Sequence, residues 1–125
     1  GFKMIKEGLL YAKSHEWLKV EGSEALVGIS DHAQEALGDV VFIELPKIGD
    51  TIKMGEAFGA VESVKAASDM YLPVSGKIIE VNTDLESEPE KLNQDPYGSW
   101  ICKIEILDQK ELENLFDHTE YKEED

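Results

Sequence analysis

The sequence has no arginine, a single cysteine, four prolines and no long apolar run. Each shortage excludes something. One cysteine (Cys102) cannot build an intramolecular disulfide framework or a cysteine-rich zinc site. No stretch approaches the roughly 20 apolar residues of a membrane-spanning helix. Residues 1–12 lack the apolar core of a secretory signal. All twelve basic side chains are lysine, against 27 acids, for a formal charge of −15. Nucleic-acid binding needs a positive footprint that this chain does not have, and anionic membrane surfaces are disfavoured for the same reason. A solvated acidic face is the plain reading of that charge. The sharper one is a partner with a basic surface, steered into encounter by the field.

What remains is one domain's worth of chain: 125 residues, 42% hydrophobic, enough for a single core. Short β-type runs lie between turn signals. They are Ala25–Val27, Val40–Leu45 before Pro46, Ala57–Val61, Met70–Val74 and Lys77–Val81. From Trp100 to Ile106, strict alternation sets Trp100, Cys102, Ile104 and Ile106 on one face. Many short strands at close spacing predict a barrel or a sandwich.

Helix signals are few. Asp31 with Gln34 has capping-box spacing, and Gly38 can close that helix. Asp108 with Glu111 repeats the box, and Leu112, Leu115 and Phe116 supply a helical stripe, so a C-terminal helix is predicted over 108–121. The acidic loop 84–95 has room for one helical turn. Residues 1–8 read as a leader or a partly tag-derived stretch, and 122–125 as a frayed tail. Phe42–Leu45 echoes Ile78–Val81, 36 residues later, which suits two half-sheets packed face to face.

Catalytic and metal motifs fail one after another. His15-Glu16 opens a zincin pattern whose second histidine would fall at Lys19. Asp84, Glu86 and Glu88 mimic a calcium loop, but its obligatory glycine is Pro89. Ser30, Asp31 and His32 are consecutive, so they cannot face one another as a triad. Cys102, on the apolar face of a strand, reads as a small core residue. No catalytic residue and no metal site is expected.

One segment stands apart: Glu62-Ser63-Val64-Lys65-Ala66, between a β-run that enters and one that leaves. On spacing alone Lys65 is a solvated turn lysine. The same geometry suits modification, because a lysine at a hairpin tip stands clear of the sheet and small neighbours leave room for a modifying enzyme. Glu62 nearby would favour the charged amine, so a base would have to come from that enzyme.

This segment resembles the lipoylation motif of the glycine cleavage system H-protein family. The likeness extends in order through Tyr11–Trp17, Val27–Gln34, Leu37–Val41, Glu44–Pro46, Pro73–Gly76, Glu80–Asn82, Asp95–Gly98 and Trp100-Ile101, roughly residues 9 to 121. Each piece is weak, but the ordered set is specific. One departure is visible: Ser99 directly precedes Trp100, where many members carry an extra glycine, which bears on loop shape only.

The resemblance implies a mainly β hybrid barrel–sandwich of the lipoyl- and biotinyl-carrier type, with short helices and a C-terminal helix, as one domain over residues 1–125. It implies lipoate in amide linkage to Lys65, with Glu62, Ser63, Val64 and Ala66 as motif neighbours. It implies arm docking at Ser14, Glu16 and Asp69, although composition alone reads these acids equally as surface charge. His15 and Trp17 are expected to pack or hydrogen-bond structurally. The implied role is that of a carrier, not an enzyme. It would take the aminomethyl group of glycine from the P protein (the decarboxylase) to the T protein (the aminomethyltransferase). Electrons would pass to the L protein (dihydrolipoyl dehydrogenase), and a lipoate ligase or lipoyl transferase would load Lys65. A monomer is expected, cytoplasmic in a bacterium or in the mitochondrial matrix in a eukaryote. Alternatives are an H-like lipoyl carrier of another pathway (lipoyl relay or sulfur-compound oxidation) and an unmodified binding module.

Overall fold

The short β-type runs become antiparallel strands that bury side chains in a shared core. The computed structural model describes residues 4–123. In chain order it has β1 (Leu10–Tyr11), β2 (Glu16–Glu21), β3 (Glu24–Ile29), α1 (Asp31–Leu37), β4 (Val40–Glu44), β5 (Thr51–Ile52) and β6 (Ala57–Ser63). It continues with β7 (Ala67–Tyr71), β8 (Gly76–Val81), α2 (Asp84–Ser87), α3 (Lys91–Gln94), β9 (Cys102–Ile106) and a 3₁₀ helix (Gln109–Asn114). Six strands form one sheet in the order β1-β2-β3-β9-β8-β5, and three form a second in the order β4-β6-β7. The result is the mainly β, open barrel–sandwich architecture expected from the sequence.

Leu18, Val27, Val61, Leu72, Val74, Ile78 and Ile104, contributed by both sheets and the loop after β7, are buried in one cluster between them. Leu9, Tyr11, Trp17 and Tyr121 form a smaller second cluster, against which Trp100 and Tyr97 pack. β9 begins only at Cys102, and Ile101 and Cys102 are both buried. The predicted alternation therefore breaks before the strand, and Trp100 joins the aromatic cluster instead of the β9 face. The echo between Phe42–Leu45 and Ile78–Val81 falls on β4 and β8, one in each sheet. It is not a repeat in phase: Phe42 is 52% exposed, whereas its counterpart Ile78 is fully buried. A bulge between Val40 and Phe42 shifts the register of β4 and leaves Val41 and Phe42 both facing out.

The helix ends differ from expectation in instructive ways. Ser30, not Asp31, caps α1: its backbone is extended, and its hydroxyl oxygen accepts from Ala33 N–H at 3.2 Å. Asp31 is the first helical residue, where a negative charge favours the N-terminus, and it accepts from Gln34 Nε2 at 2.7 Å. Gly38 closes the helix as predicted, at φ 76°. The helix predicted over 108–121 is corrected to the 3₁₀ helix Gln109–Asn114. Asp108 does cap it, accepting from Lys110 N–H at 3.0 Å. Glu111, however, turns away from the box to accept from Ser75 N–H (2.7 Å) and Oγ–H (3.0 Å). Leu115 is already extended, and Phe116 exchanges backbone hydrogen bonds with Tyr11. Those tertiary partners replace the helical ones that residues 115–121 would need. The acidic loop holds two single turns, α2 and α3, each burying one leucine, Leu85 and Leu92.

Of the presumed leader, Met4 and Lys6 hydrogen-bond to the domain body. Met4 N–H donates to Asp31 at 2.7 Å, Met4 O accepts from the Tyr97 hydroxyl, and Lys6 O accepts from Tyr11 at 2.7 Å. Residues 1–3 of that stretch, and 124–125 of the predicted frayed tail, lie outside the described residues.

Gly59 fixes how closely β6 can approach β4. A Cβ there would collide with the Glu44 carbonyl oxygen, a backbone atom that cannot rotate away. Gly59→Ala should lower stability by about 1–3 kcal/mol through overpacking, read as a fall in the urea midpoint. An unchanged midpoint would show that the two strands can separate freely.

Candidate functional site

β6 and β7 form a hairpin whose register runs from Ala57↔Tyr71 to Glu62↔Ala67. The connection is Val64-Lys65-Ala66. Ser63 builds the turn: its Oγ accepts from the N–H groups of Lys65 (3.2 Å) and Ala66 (3.1 Å), and its own N–H donates to Ala66 O at 2.8 Å. Val64 N–H donates to Asp39 O at 3.0 Å, which ties the tip to the segment after α1. Lys65 is thus exposed on a turn whose backbone is held on both sides. Its stem runs past Gly38, where a Cβ would stand 3.1 Å from Lys65 Cε. Val64 beside it is 68% exposed, and Ala66 and Ala67 are small and exposed.

Next to this tip lies a cleft of about 330 Å³. One wall is the turn before β2 with Ser14, His15 and Glu16. A second is α1, through His32, Ala33, Ala36 and Leu37. The third is the hairpin itself, from Ala66 to Met70. The structure therefore brings Asp69 together with Ser14 and Glu16, distant from it in sequence, in one cavity that begins beside Lys65. Ser14 and Asp69 are exposed; Glu16 is 3% exposed. Its carboxylate accepts from the Ser14 hydroxyl and, through Oε2, from Tyr71 N–H at 2.9 Å. Burial dominates these two bonds and raises its pKa from the ordinary 4.5 to about 7.

Trp17 is structural, as expected: its Nε1–H donates to Pro96 O at 3.1 Å from a buried ring. His15 packs and hydrogen-bonds as expected and also lines the cleft, with its ring centroid 4.4 Å from that of His32. Sequence reasoning missed the α1 wall. Its signal was present in the i, i+3, i+4 spacing of Ala33, Ala36 and Leu37, a short apolar stripe of small side chains. Nothing in the sequence marked Tyr71, which contributes only its backbone N–H.

The model of the family described as Glycine cleavage H-protein matches residues 9–125. The chain belongs to the glycine cleavage H-protein family. Glycine cleavage system H proteins are among its curated relatives. That of Alkaliphilus oremlandii (strain OhILAs) is 58% identical over 116 residues, 93% of this chain and 91% of that protein. That of Thermoanaerobacter sp. (strain X514) is 52% identical over 118 residues, 94% of each. A crystal structure of a glycine cleavage system H protein from Mycobacterium marinum matches with a TM-score of 0.77 at 39% identity, over 82% of this chain and 86% of that one. As a member of the H-protein family the chain is a carrier of the glycine cleavage system and not an enzyme. The family carries lipoate, and its place in that system implies contact with the other components.

Glu16 makes this site sensitive to pH in a definite direction. Its pKa is raised on folding, so the folded state holds the proton more tightly than the unfolded state. Its favourable contribution is full below the unfolded value and is lost as pH rises toward about 7. Across that window wild type should lose on the order of 3 kcal/mol relative to Glu16→Gln, measured by denaturant unfolding at each pH. The Glu16 side-chain carbon should titrate near 7 by NMR; a midpoint below about 5 would mean that water reaches the carboxylate.

Proposed function

We propose that Lys65 carries lipoate in amide linkage, and that the cleft of Ser14, Glu16 and Asp69 shelters the loaded end of that arm. The observation that supports this most directly is a hairpin-tip lysine beside a walled cavity with a buried carboxylate at its base. The residues present fit the group. Ala66 and Ala67 leave room around the amine, and the cleft offers apolar contact from Leu37, Val61 and Met70 along the way to polar atoms at Ser14, Glu16 and Asp69. When bound, lipoate supplies a dithiolane able to accept a one-carbon amine unit with two electrons and to give both up again.

The chain's own residues do the rest. Amide formation removes the Lys65 charge, and the turn built by Ser63 keeps the attachment point outside the sheet. A protonated cargo amine entering the cleft would meet Glu16, whose burial makes its lone negative charge costly. The amine offsets that cost, so Glu16 gives up its proton as the cargo docks. Charge-assisted hydrogen bonds of this kind contribute about 1.5–3 kcal/mol when poorly solvated; Asp69, being exposed, contributes less. An empty arm brings no amine and gains nothing from the acids. The cleft thus tells a loaded arm from an unloaded one by charge and limits the access of water to the cargo. In this reading the chain shuttles the aminomethyl group of glycine from the P protein to the T protein and delivers electrons to the L protein. A lipoate ligase or transferase installs the arm, and the setting is the bacterial cytoplasm, in line with the bacterial relatives.

Lys65→Arg should fold normally and take up no lipoate, because a guanidinium forms no comparable stable amide. Peptide mass spectrometry checks this, and lipoate on another lysine of the wild-type chain would defeat it. Glu16→Gln with Asp69→Asn keeps shape and removes charge. That double variant should be lipoylated at a near-normal rate, yet release formaldehyde from the loaded protein several-fold faster. Equal release would reduce these acids to plain structure and surface.

A further inference from the structure

Near the end of the described chain, Tyr121 is buried while its immediate neighbours are exposed or half-buried. Asp117 builds the turn that delivers it. Its carboxylate accepts from Thr119 N–H at 2.9 Å and Glu120 N–H at 3.0 Å, and its carbonyl accepts from Tyr121 N–H at 3.0 Å. Just upstream, Phe116 and Tyr11 exchange both backbone hydrogen bonds, at 2.7 and 2.9 Å. The Tyr121 ring stacks on Tyr11 with centroids 4.3 Å apart and planes 10° apart. None of these contacts requires the phenolic oxygen.

That oxygen has its own partners. It lies 2.5 Å from His15 Nδ1 and 3.0 Å from Ser30 Oγ. His15 sits between Ser14 and Glu16 on one wall of the cleft, and Ser30 is the N-cap of α1, which forms another. His15 is the one non-glycine residue with positive φ (78°) among the described residues. Such a conformation persists where the surroundings over-determine it. Ser30 N–H also donates to His15 O at 2.9 Å. The Ser30 hydroxyl oxygen already accepts from Ala33 N–H, so its own O–H is available to the Tyr121 oxygen, while the Tyr121 O–H is available to His15.

We infer that Tyr121 is a positioning residue of the carrier: its hydroxyl clamps the Ser14–Glu16 turn to the N-terminus of α1, and so sets the width of the cleft that retains the cargo. The inference rests on the reading of that cleft given above. The clamp touches neither Lys65 nor the cargo. It acts through His15 and Ser30.

Tyr121→Phe removes the oxygen and keeps the stacked ring. In unloaded, isotopically labelled full-length protein, the Ser30 amide should exchange with solvent about threefold faster or more. The Glu16 carboxyl should titrate at lower pH as water enters. Amides of the β3–β9 ladder and the urea midpoint should stay close to wild type. Lipoylated and loaded, the same variant should release formaldehyde about threefold faster, with Lys65 modified at the normal rate. Wild-type Ser30 exchange and Glu16 titration in Tyr121→Phe would overturn the clamp. If both move but release stays at the wild-type rate, two cases separate. With Glu16→Gln/Asp69→Asn still releasing faster, cargo retention through Tyr121 is refuted. With that double variant unchanged as well, it is the cleft reading that fails, and the clamp stands on the unloaded protein. Tyr121→Ala, which also removes the stack, should lower the urea midpoint; a midpoint equal to that of Tyr121→Phe would show that the ring holds nothing.

Discussion

One hydrogen bond joins the two sheets where it matters. Glu16 opens β2 of the six-stranded sheet, and its Oε2 accepts from Tyr71 N–H at the end of β7 in the three-stranded sheet. A buried carboxylate without partners would be expelled or neutralised. Here the backbone donor of one sheet and the Ser14 hydroxyl of the other's approach turn hold it in place. The base of the cleft, the root of the hairpin and the rim before β2 are therefore fixed relative to one another by a single side chain. Asn93 plays a similar part on the far side of α1. Its Oδ1 accepts from Val40 N–H at 2.9 Å, and its Nδ2 donates to Gly38 O at 2.8 Å. The segment to which Val64 is tied is thereby anchored in turn.

The place of Lys65 at a hairpin tip was legible because the signals are local: the strand, the turn serine and the small residues after the lysine are contiguous, so order along the chain carries the geometry. The cleft was legible only in part. Ser14, Glu16 and Asp69 were named through resemblance, and that Glu16 is buried could not be read from a chain with 27 acids. Its burial depends on a backbone N–H 55 residues away, which no side-chain pattern records. The α1 wall was overlooked because its signal, two alanines and a leucine, is also the signal of an ordinary short helix.

The C-terminal segment shows the opposite failure. Leu112, Leu115 and Phe116 have helical spacing, and Asp108 caps as a helix start should. Local signals were strong, yet the chain leaves the helix after Asn114 because partners outside the segment compete for it. Ser75 takes the carboxylate of Glu111, and the backbone of Tyr11 takes that of Phe116. Propensity is a weak prior wherever tertiary hydrogen bonds are on offer, and a six-residue 3₁₀ helix is what remains.

The bulge in β4 has a consequence for how this carrier behaves among copies of itself. β4 and β7 are the two edges of the three-stranded sheet, and an open edge is a template on which another strand can add. At β4 the extra residue between Val40 and Phe42 throws the outward-facing backbone groups out of step, so an incoming strand finds donors and acceptors at the wrong intervals. At β7 the outward amide of Tyr71 is already engaged by Glu16. The small sheet that displays Lys65 at its tip is thus a poor template for strand addition at β4 and at the Tyr71 end of β7.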